Sequence, residues 1–361
     1  MPETGATPNV PRLQRRILRA VEALTTPLLP SDYLELLNPL WSTRELRGRI
    51  ERVEPETEDA ATVVIKPGYR WDGHRPGQYL RIGVDIKGVR HWRAYSLTSE
   101  PSRPDGCITI TVKHVDEGVV SPYLVKHGRT GAIVSLGGVE GDFVLPEELP
   151  EKLLFISAGS GITPIMSMLR SIEPSDAVLL HSARGPHDVI FGDELRDYAR
   201  RHEGFRLHEQ DTAKHGRLKP EHLDELVPDW RERETFLSGP GEMLDAFCEH
   251  WERHGDPDKL HMERFQPKLG VSGEEGEGGT VVFLKSDREV EADGSTPILV
   301  AGEEAGLELP YGCREGICHT CVGTLKSGRL RDLRNGKVYG QDGETVRTCI
   351  SAPEGRVEIE L

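Results

Sequence analysis

Four of the six cysteines follow a spacing that strongly constrains how the C-terminal part of this chain can fold. Cys313, Cys318, Cys321 and Cys349 form the pattern C-x4-C-x2-C-x27-C. Structural zinc usually takes two short cysteine pairs around one tetrahedral ion. Here a single loop supplies three thiolates, and the spacing between the first two is wider than in a zinc-binding pair. The loop can therefore enclose a larger group, and the distant fourth thiolate completes the set of ligands.

This spacing is typical of a 2Fe-2S cluster. Gly312 and Gly316 lie within the loop, and glycine lets backbone amides approach the sulfides closely. A zinc-stabilised interaction module and a redox-sensing thiol cluster are the alternative interpretations of the same cysteines. The other two cysteines, Cys107 and Cys248, are predicted to be small buried hydrophobic residues.

The charge and hydropathy of the chain argue against two classes of protein, those that bind nucleic acid and those that span a membrane. The 361 residues include 60 acidic and 45 basic side chains, for a formal net charge of −15, which argues against nucleic-acid binding. No apolar run approaches the ~18 residues of a membrane span, and no hydrophobic signal core follows the N-terminus. We therefore expect a cytoplasmic protein of two or three domains, whose clustered cysteines are metal ligands or redox groups rather than disulfides.

Three architectures follow one another along the chain. Residues 45–149 alternate short β-rich runs with Gly, Pro and Asp, which predicts a small antiparallel β-barrel. Residues 150–267 alternate apolar strands with helical segments, which predicts an α/β domain with a parallel sheet. Residues 280–361 begin and end with strands around the cysteine cluster. The Gly- and Glu-rich segment 268–279 predicts a flexible linker with an r.m.s. span of ~20 Å, which would let the last domain dock and swing outward.

Residues 1–44 form a separate extension with a predicted basic amphipathic helix. Such a helix can pack its apolar stripe on the barrel, or it can lie on an anionic membrane surface. The apolar face holds Leu13, Ile17, Val21 and Leu24, and the positive charge comes from Arg12, Arg15, Arg16 and Arg19.

A 2Fe-2S centre takes one electron at a time, whereas a nicotinamide releases two as hydride, so a flavin is the expected converter. The stretch RAYSLTS, residues 93–99, ends a predicted barrel strand. Strand alternation places Arg93 and Tyr95 on one face, where a guanidinium can pair with a phosphate and a phenol can stack on a flat cofactor. Ser96 adds a hydrogen-bonding group. By itself the pattern is equally compatible with an ordinary strand.

Two glycine-containing turns follow apolar strands in the second domain. AGSGITP, residues 158–164, precedes a helix, so Gly159 and Gly161 permit close approach of a pyrophosphate to the helix N-terminus. SGPGEM, residues 238–243, follows another strand. Ser182 and Arg184 occupy the position where an acidic residue would select NADH, and a guanidinium suits the 2′-phosphate of NADPH. An ordinary surface arginine is the alternative.

Together these motifs resemble two known families. YGCREGICHTC followed by TCISAP is similar to the cluster loop of plant-type ferredoxins, over residues 280–361. R-x-Y-S-x-x-S and G-S-G-I-T-P resemble the ferredoxin–NADP reductase superfamily. The resemblance implies an antiparallel β-barrel FAD domain, an α/β parallel-sheet NADP domain and a C-terminal α+β ferredoxin domain of the β-grasp type. His319 departs from the ferredoxin pattern, which commonly has Gly or Ser there.

The resemblance also implies roles for individual residues. Cys313 and Cys318 would hold one iron, and Cys321 and Cys349 the other. Ser96, Tyr95 and Glu263 are the implied catalytic residues, with Ser96 near the hydride-accepting ring nitrogen. Arg93, Val119, Val120 and Ser121 would hold the flavin pyrophosphate, and Phe265 would lie against the flavin. The remaining implied cofactor-binding residues are Ser99, Lys113, Gly159, Gly161, Thr163, Pro164, Ser182, Arg184, Arg217, Ser238, Gly239 and Pro240, of which Ser238 stands where the family often has cysteine.

The sequence therefore predicts an oxidoreductase that passes electrons from NADPH to FAD, to the 2Fe-2S cluster and to an external acceptor protein. Its domain order resembles reductases of ring-hydroxylating, demethylating and haem monooxygenase systems, some of which hold FMN. The stretch LLPSDYLELLNPLWS makes it most similar to actinobacterial NADPH oxidoreductases that serve membrane acyl-CoA (stearoyl) desaturases. That similarity implies peripheral contact with the inner face of the membrane through the basic helix. The intact flavin and nucleotide motifs argue against a non-enzymatic carrier.

Overall fold

A computed structural model describes residues 30–116, 118–265, 276–311, 316 and 319–361. The predicted basic helix, most of the predicted linker, and Cys313 and Cys318 lie outside these residues. The described part contains three sheets, one for each predicted architecture. None of its helices is long and apolar enough to cross a bilayer.

The first sheet closes into a barrel because its two edge strands meet. It follows a short helix, α1, and a 3-10 turn at Pro39–Trp41. All pairings are antiparallel, in the order β4-β3-β6-β1-β2-β5. Beyond β4, Leu97 bridges to Ile110 of β5, and the Thr98 N–H donates to the Thr109 carbonyl at 2.8 Å. The elements are α1 (Pro30–Leu37), β1 (Arg47–Pro55), β2 (Ala60–Pro67), β3 (Tyr79–Ile86), β4 (Val89–Ser96), β5 (Ile108–Lys113), α2 (Val120–His127) and β6 (Ile133–Glu140).

The second sheet is parallel and has a topological switch point. Its order is β11-β10-β7-β8-β9, so the chain runs in one direction from β7 to β9 and then crosses to β10 on the other side of β7. Ligands of open α/β sheets bind beyond the carboxyl ends of the strands at such a point. The elements are β7 (Lys152–Ala158), α3 (Ile162–Leu169), β8 (Asp176–Ala183), α4 (Gly192–Arg201), β9 (Phe205–Asp211), α5 (Thr212–His215), α6 (Leu223–Leu226), β10 (Glu234–Ser238), α7 (Gly241–His254) and β11 (Leu260–Glu263).

The barrel and the parallel sheet share one apolar core. Phe143 and Leu145, which follow β6, pack in the same cluster as residues of β7, α3, β8 and α4. The Phe143 ring meets Phe236 of β10 edge-on, with centroids 5.6 Å apart. The Ser167 hydroxyl of α3 donates to the Ser99 carbonyl at 2.8 Å, which adds a buried polar contact across the junction.

The C-terminal sheet has a core of its own. Its order is β13-β12-β17-β14-β15, with β16 also paired to β14, and β12 lies parallel to β17. Described residues between 281 and 361 form its two apolar clusters. This mixed sheet with one helix is the predicted α+β arrangement. The elements are β12 (Gly279–Phe283), β13 (Arg288–Ala292), α8 (Ile298–Glu304), β14 (Val322–Asp332), β15 (Val338–Tyr339), β16 (Thr345–Arg347) and β17 (Ser351–Glu360).

Candidate functional site

A cavity of about 1280 Å³ opens where the three sheets approach one another. Ligand pockets commonly measure roughly 300–1,000 Å³, so this one has room for more than a single small molecule. Most of its wall comes from the barrel, from β11 and from the two residues that follow β11. Tyr311, two residues before the first cluster cysteine, lies in the same wall.

The barrel side of the cavity is the end of β4. Arg93, Tyr95 and Ser96 all line it, as the sequence predicted for a flavin wall. Tyr79 of β3 pairs with Ser96 and lines the cavity as well, and its hydroxyl donates to Glu140 at 3.3 Å. Burial, followed by the charge of Glu140, raises the pKa of Tyr79 to about 12, so the phenol stays neutral and can act as a hydrogen-bond donor.

The start of α2 forms another corner of the same cavity. Gly118, Val120 and Ser121 line it, whereas Val119, the residue before the helix, is not among the lining residues. A Cβ on Gly118 would lie 2.8 Å from the Ser121 Oγ and 3.0 Å from the Val115 carbonyl oxygen, so only glycine fits. The free N–H groups of a helix start favour a phosphate, which suits the pyrophosphate of FAD.

The two glycine turns touch at the switch point of the parallel sheet. A Cβ on Gly161 would lie 2.2 Å from the Ser238 carbonyl oxygen, so the turn after β7 packs directly on the turn after β10. Gly159 has a φ of 54°, a conformation that favours glycine. Thr163 lines the cavity and its hydroxyl donates to the Ser160 carbonyl at 2.9 Å. Gly239 lies in the second turn, Pro164 is buried in α3 and Pro240 precedes α7.

Glu263 is an acid of the cavity wall that is partly buried. It ends β11 opposite Ser238 of β10, and it lines the cavity together with Ser96 and Phe265. Its Oε2 atom and the Ser238 hydroxyl are buried without a hydrogen-bond partner among the described residues. Burial raises the pKa of Glu263 to about 8, so its carboxyl group carries a proton at neutral pH. An unpaired buried carboxyl facing a cavity fits a polar ligand such as a flavin or nicotinamide ring.

Lys113 and Arg184 lie on opposite sides of the barrel–sheet junction and are both engaged by carboxylates. Lys113 lines the cavity and pairs with Asp59 at 3.0 Å and Asp188 at 3.5 Å. Arg184, 70 % exposed, pairs with Asp188 at 2.7 Å and Asp59 at 3.2 Å. These two predicted cofactor-binding cations therefore belong to one mixed-charge cluster.

Three other predicted cofactor residues lie apart from the cavity wall. Ser99 is buried, and its hydroxyl accepts from the Thr109 N–H at 3.1 Å, which braces the barrel closure. The Ser182 hydroxyl is buried without a hydrogen-bond partner in the described part of the chain. Arg217 is exposed and pairs with Glu242, at the start of α7, at 2.8 Å.

The described half of the predicted cluster site brings two cysteines together. Cys321 and Cys349 are buried in one small apolar group with Leu299 and Ile350. Thr348 donates to the Cys321 carbonyl from its N–H at 3.0 Å and from its hydroxyl at 2.8 Å, which fixes the loop beside β16. Because Cys313 and Cys318 lie outside the described residues, no set of three or more metal-ligating side chains is seen in the rest.

Gly316 and His319 show how the cluster loop is shaped. Gly316 has a φ of 74°, and a Cβ there would lie 2.6 Å from the Ile350 side chain, which supports the predicted need for glycine. Arg347 donates to the Gly316 carbonyl at 2.8 Å. His319 is exposed and has a φ of 54°, a left-handed conformation that explains why glycine is common at this position.

The remaining cysteines differ in burial. Cys107 is buried just before β5, as predicted. Cys248 of α7 is only half-buried, with its Sγ 3.5 Å from the Met262 Sδ. The prediction of a buried residue is wrong for Cys248, because this face of α7 lies at the edge strand β11 instead of under the sheet.

Several cavity residues carried no recognisable sequence signal. Tyr79 could have been found only from its register with Ser96. Asp59 and Asp188, which are not lining residues but pair with the lining residue Lys113, could have been found only from the packing of two domains. Tyr311 had one weak signal, its position next to the Gly-Cys of the cluster loop. The other unpredicted lining residues include Thr111, His114, Gly141, Ser160, His261 and Met262.

Comparisons with known proteins agree with this arrangement. Three family models match: an oxidoreductase FAD-binding domain over residues 54–145, an oxidoreductase NAD-binding domain over 155–249 and a 2Fe-2S iron-sulfur cluster binding domain over 282–354. An NADPH oxidoreductase of Mycobacterium tuberculosis is 47 % identical over 352 residues, covering 95 % of this chain and 92 % of that protein.

Two further comparisons extend the likeness to reductases of oxygenase systems. A glycine betaine monooxygenase reductase subunit of Pseudomonas aeruginosa is 30 % identical over 318 residues, which cover 79 % of this chain and 87 % of that one. The solved structure of phthalate dioxygenase reductase covers 88 % of this chain and 98 % of its own with a TM-score of 0.55. At 20 % identity, that likeness supports the fold.

Proposed function

The chain belongs to the ferredoxin reductase-type NAD(P)H oxidoreductases with FAD-, NAD- and 2Fe-2S-binding domains, and on that premise we propose that it supplies electrons from NADPH to a membrane acyl-CoA (stearoyl) desaturase. The FAD and 2Fe-2S groups, when bound, convert the two-electron chemistry of a nicotinamide into single-electron transfers. The single observation that carries the electron-transfer role is the shared cavity, which is lined by the end of β4, by Ser160 and Thr163 of the first glycine turn and by Tyr311.

Within that cavity the side chains would bind and orient the cofactors. Arg93 and the start of α2 would hold the pyrophosphate, and Tyr95 would contact the flavin. The packed turns at Gly161 and Ser238 would hold the nucleotide at the switch point of the sheet. Pre-organised stacking of the two rings is the main requirement of hydride transfer, and rigid backbone turns provide it.

Glu263 and Ser96 would provide hydrogen-bonding groups next to the flavin. Glu263 is protonated at neutral pH because burial raises its pKa to about 8. Its Oε2 atom has no hydrogen-bond partner among the described residues, so it is available to a ligand. A neutral carboxyl group can donate a hydrogen bond to a ring or carboxamide without placing a charge in the cavity. The Ser96 hydroxyl provides the second hydrogen-bonding group.

The desaturase assignment is supported by the N-terminal surface. Leu36 and Leu37 of α1 are 76 % and 78 % exposed, and Trp41 in the following turn is 44 % exposed. The sequence before them contributes four arginines between residues 12 and 19. A sequence that has positive charge ahead of exposed leucine and tryptophan suits an anionic bilayer surface, where a membrane desaturase would be found.

An oxygenase component is the second candidate acceptor. It is favoured by the likeness to a monooxygenase reductase subunit and to phthalate dioxygenase reductase. These proteins share the three-domain order, which fits either acceptor. The N-terminal surface is the feature that separates the two candidates.

Reconstitution with both acceptors tests the proposal. Purified holoprotein with NADPH is expected to support acyl-CoA desaturation in vesicles that contain a desaturase, and to give much slower turnover with a Rieske-type oxygenase component. The reverse ranking would replace the desaturase with the oxygenase.

The membrane contact is tested with the exposed leucines. Leu36→Asp with Leu37→Asp should reduce co-sedimentation with phosphatidylglycerol vesicles, because two apolar side chains are removed from the contact. Leu149→Asp, at another exposed apolar position, is the matched control. Equal sedimentation of all three proteins would remove the membrane contact from the proposal.

A further inference from the structure

Four charges form a closed cluster across the junction between the barrel and the parallel sheet. Asp59 and Lys113 belong to the barrel, before β2 and at the end of β5, and Arg184 and Asp188 follow β8. Each cation contacts both carboxylates, with N···O distances of 2.7, 3.0, 3.2 and 3.5 Å. The formal charges of the four groups cancel.

The cluster is anchored from both domains. The Thr57 hydroxyl donates to Asp59 at 2.9 Å on the barrel side. Asp188 ends the 3-10 turn Pro186–Asp188, which follows the strand end that carries Arg184. Hydrogen bonds from Arg184, outweighing burial, hold the pKa of Asp188 below its usual value, so this carboxylate is charged throughout the physiological range.

Both nitrogen atoms on one edge of the Arg184 guanidinium already donate hydrogen bonds to carboxylates. Its Nε donates to one oxygen of Asp188 at 2.7 Å, and its Nη2 donates to the other at 3.0 Å and to Asp59 at 3.2 Å. A phosphate would bind the same two-pronged edge, since planar guanidinium groups pair with carboxylate and phosphate in the same bidentate geometry. Phosphate and carboxylates therefore compete for one set of donors.

We propose that Asp59 and Asp188 act as a latch that holds Arg184 across the domain junction and that a 2′-phosphate on the bound nucleotide opens it. The inference rests on the proposed use of NADPH and adds two specificity-determining residues to it. A 2′-phosphate replaces the carboxylates at Arg184, and the freed carboxylates retain Lys113 as a partner. The closed latch lowers the affinity for 2′-phosphorylated nucleotides and has no effect on nucleotides without that group.

The effect of the latch on nucleotide affinity depends on two domains, because Asp59 belongs to the barrel and Arg184 to the parallel-sheet domain. Asp59 lies in the flavin-binding part of the chain, far in sequence from the nucleotide turns. Its removal should nevertheless strengthen binding of a 2′-phosphate, because it removes one competitor for Arg184. The size of the change is that of a partly exposed ion pair, about two- to fivefold in Kd for each carboxylate.

Calorimetric titration of the full-length holoprotein tests this with two ligands that differ only in the 2′-phosphate, adenosine 2′,5′-bisphosphate and 5′-AMP. In Asp188→Asn the bisphosphate should bind about three- to fivefold more tightly, while 5′-AMP binding is unchanged. Asp59→Asn should shift the bisphosphate in the same direction by about twofold. Asp197→Asn, at an exposed carboxylate on α4 that pairs with Arg200 and Arg201, is the matched control and should change neither ligand.

The outcomes of this titration distinguish a failure of the latch proposal from a failure of the proposed NADPH preference. If the wild-type protein and both Asn variants bind the two ligands equally, the preference for NADPH is wrong. If the bisphosphate is preferred but both Asn variants leave its Kd unchanged or weaken it, the preference stands and the latch is overturned. Circular dichroism and flavin content confirm that each variant is folded and loaded.

Discussion

The two domain junctions of this molecule are built in different ways. Between the barrel and the parallel sheet, Phe143 and Leu145 join a common apolar core, and Ser167 and Arg170 of the α3 region donate to the Ser99 and Thr98 carbonyls. The C-terminal domain instead has separate core clusters, and among its described residues Tyr311 is the one that lines the shared cavity.

This difference matches the demands of the two electron-transfer steps. Hydride transfer needs two rings held in contact, so the first junction is a packed and hydrogen-bonded interface. Single-electron transfer to the cluster tolerates a smaller contact, and a flexible linker at 268–279, as the sequence predicts, would let the last domain meet both the flavin and an acceptor. The domain limits themselves remain predictions from the sequence.

Removing one cluster cysteine should give the largest difference between the two junctions, because the cluster-dependent activity should be lost and the flavin-dependent activity kept. Cys349→Ser is expected to abolish the reddish-brown 2Fe-2S spectrum and the reduction of cytochrome c, because a thiolate ligand is lost. NADPH–ferricyanide turnover should stay near the wild-type rate, since the flavin site lies in another core. Cys248→Ser is the control that should leave both activities intact. Loss of ferricyanide turnover in Cys349→Ser would mean that the two parts depend on each other.

Two matched core truncations test which parts unfold together. Phe143→Ala should destabilise the barrel and the parallel sheet as one unit by about 3–5 kcal/mol, because it opens a cavity in their common core. Phe283→Ala, a fully buried position in the C-terminal core, should lower the unfolding temperature of that domain alone. Flavin fluorescence and cluster absorbance report the two transitions. A shift of both transitions in Phe283→Ala would contradict separate cores.

Replacing the partly buried acid at the first junction should change how stability depends on pH. Burial raises the pKa of Glu263 from 4.5 to about 8, so the folded state keeps a proton that the unfolded state releases. Stability linked to this group is fully present below pH 4.5 and is lost as the pH rises to about 8. Glu263→Gln, measured without nucleotide, should therefore gain up to a few kcal/mol at pH 8 relative to wild type.

The gain of Glu263→Gln should shrink as the pH falls towards 4.5. The measurement is urea unfolding of the flavin transition between pH 5 and 9, with the exposed Glu148→Gln as control. A pH-independent difference between Glu263→Gln and wild type would show that the carboxyl group is not protonated in the folded state.

A smaller effect is expected at the cluster loop. His319→Gly should raise the stability of the C-terminal transition by about 1 kcal/mol or less, because it relieves a left-handed backbone conformation. The flavin transition should not move. His319→Ala keeps the strain and serves as the comparison, and an equal gain in that variant would exclude a backbone origin.

Much of the fold was accessible from local sequence patterns. The β-branched runs of the barrel, the alternation of strands and helices after residue 150 and the cysteine spacing each depend on neighbours in sequence. Motif residues at the ends of β4 and β7 were found for the same reason, because a strand end followed by a glycine turn is a local feature. Cys248 was mispredicted, since the exposure of a helix face depends on what packs over it.

The sequence by itself determined the kinds of cofactor and the order of the three architectures, because thiolate spacing and glycine turns encode them in consecutive residues. The tertiary structure alone decided how the charges meet. Arg184 was predicted as a phosphate ligand, yet its carboxylate partners include Asp59, which lies 125 positions away. Such contacts arise when two domains pack, and no pattern of neighbouring residues specifies them.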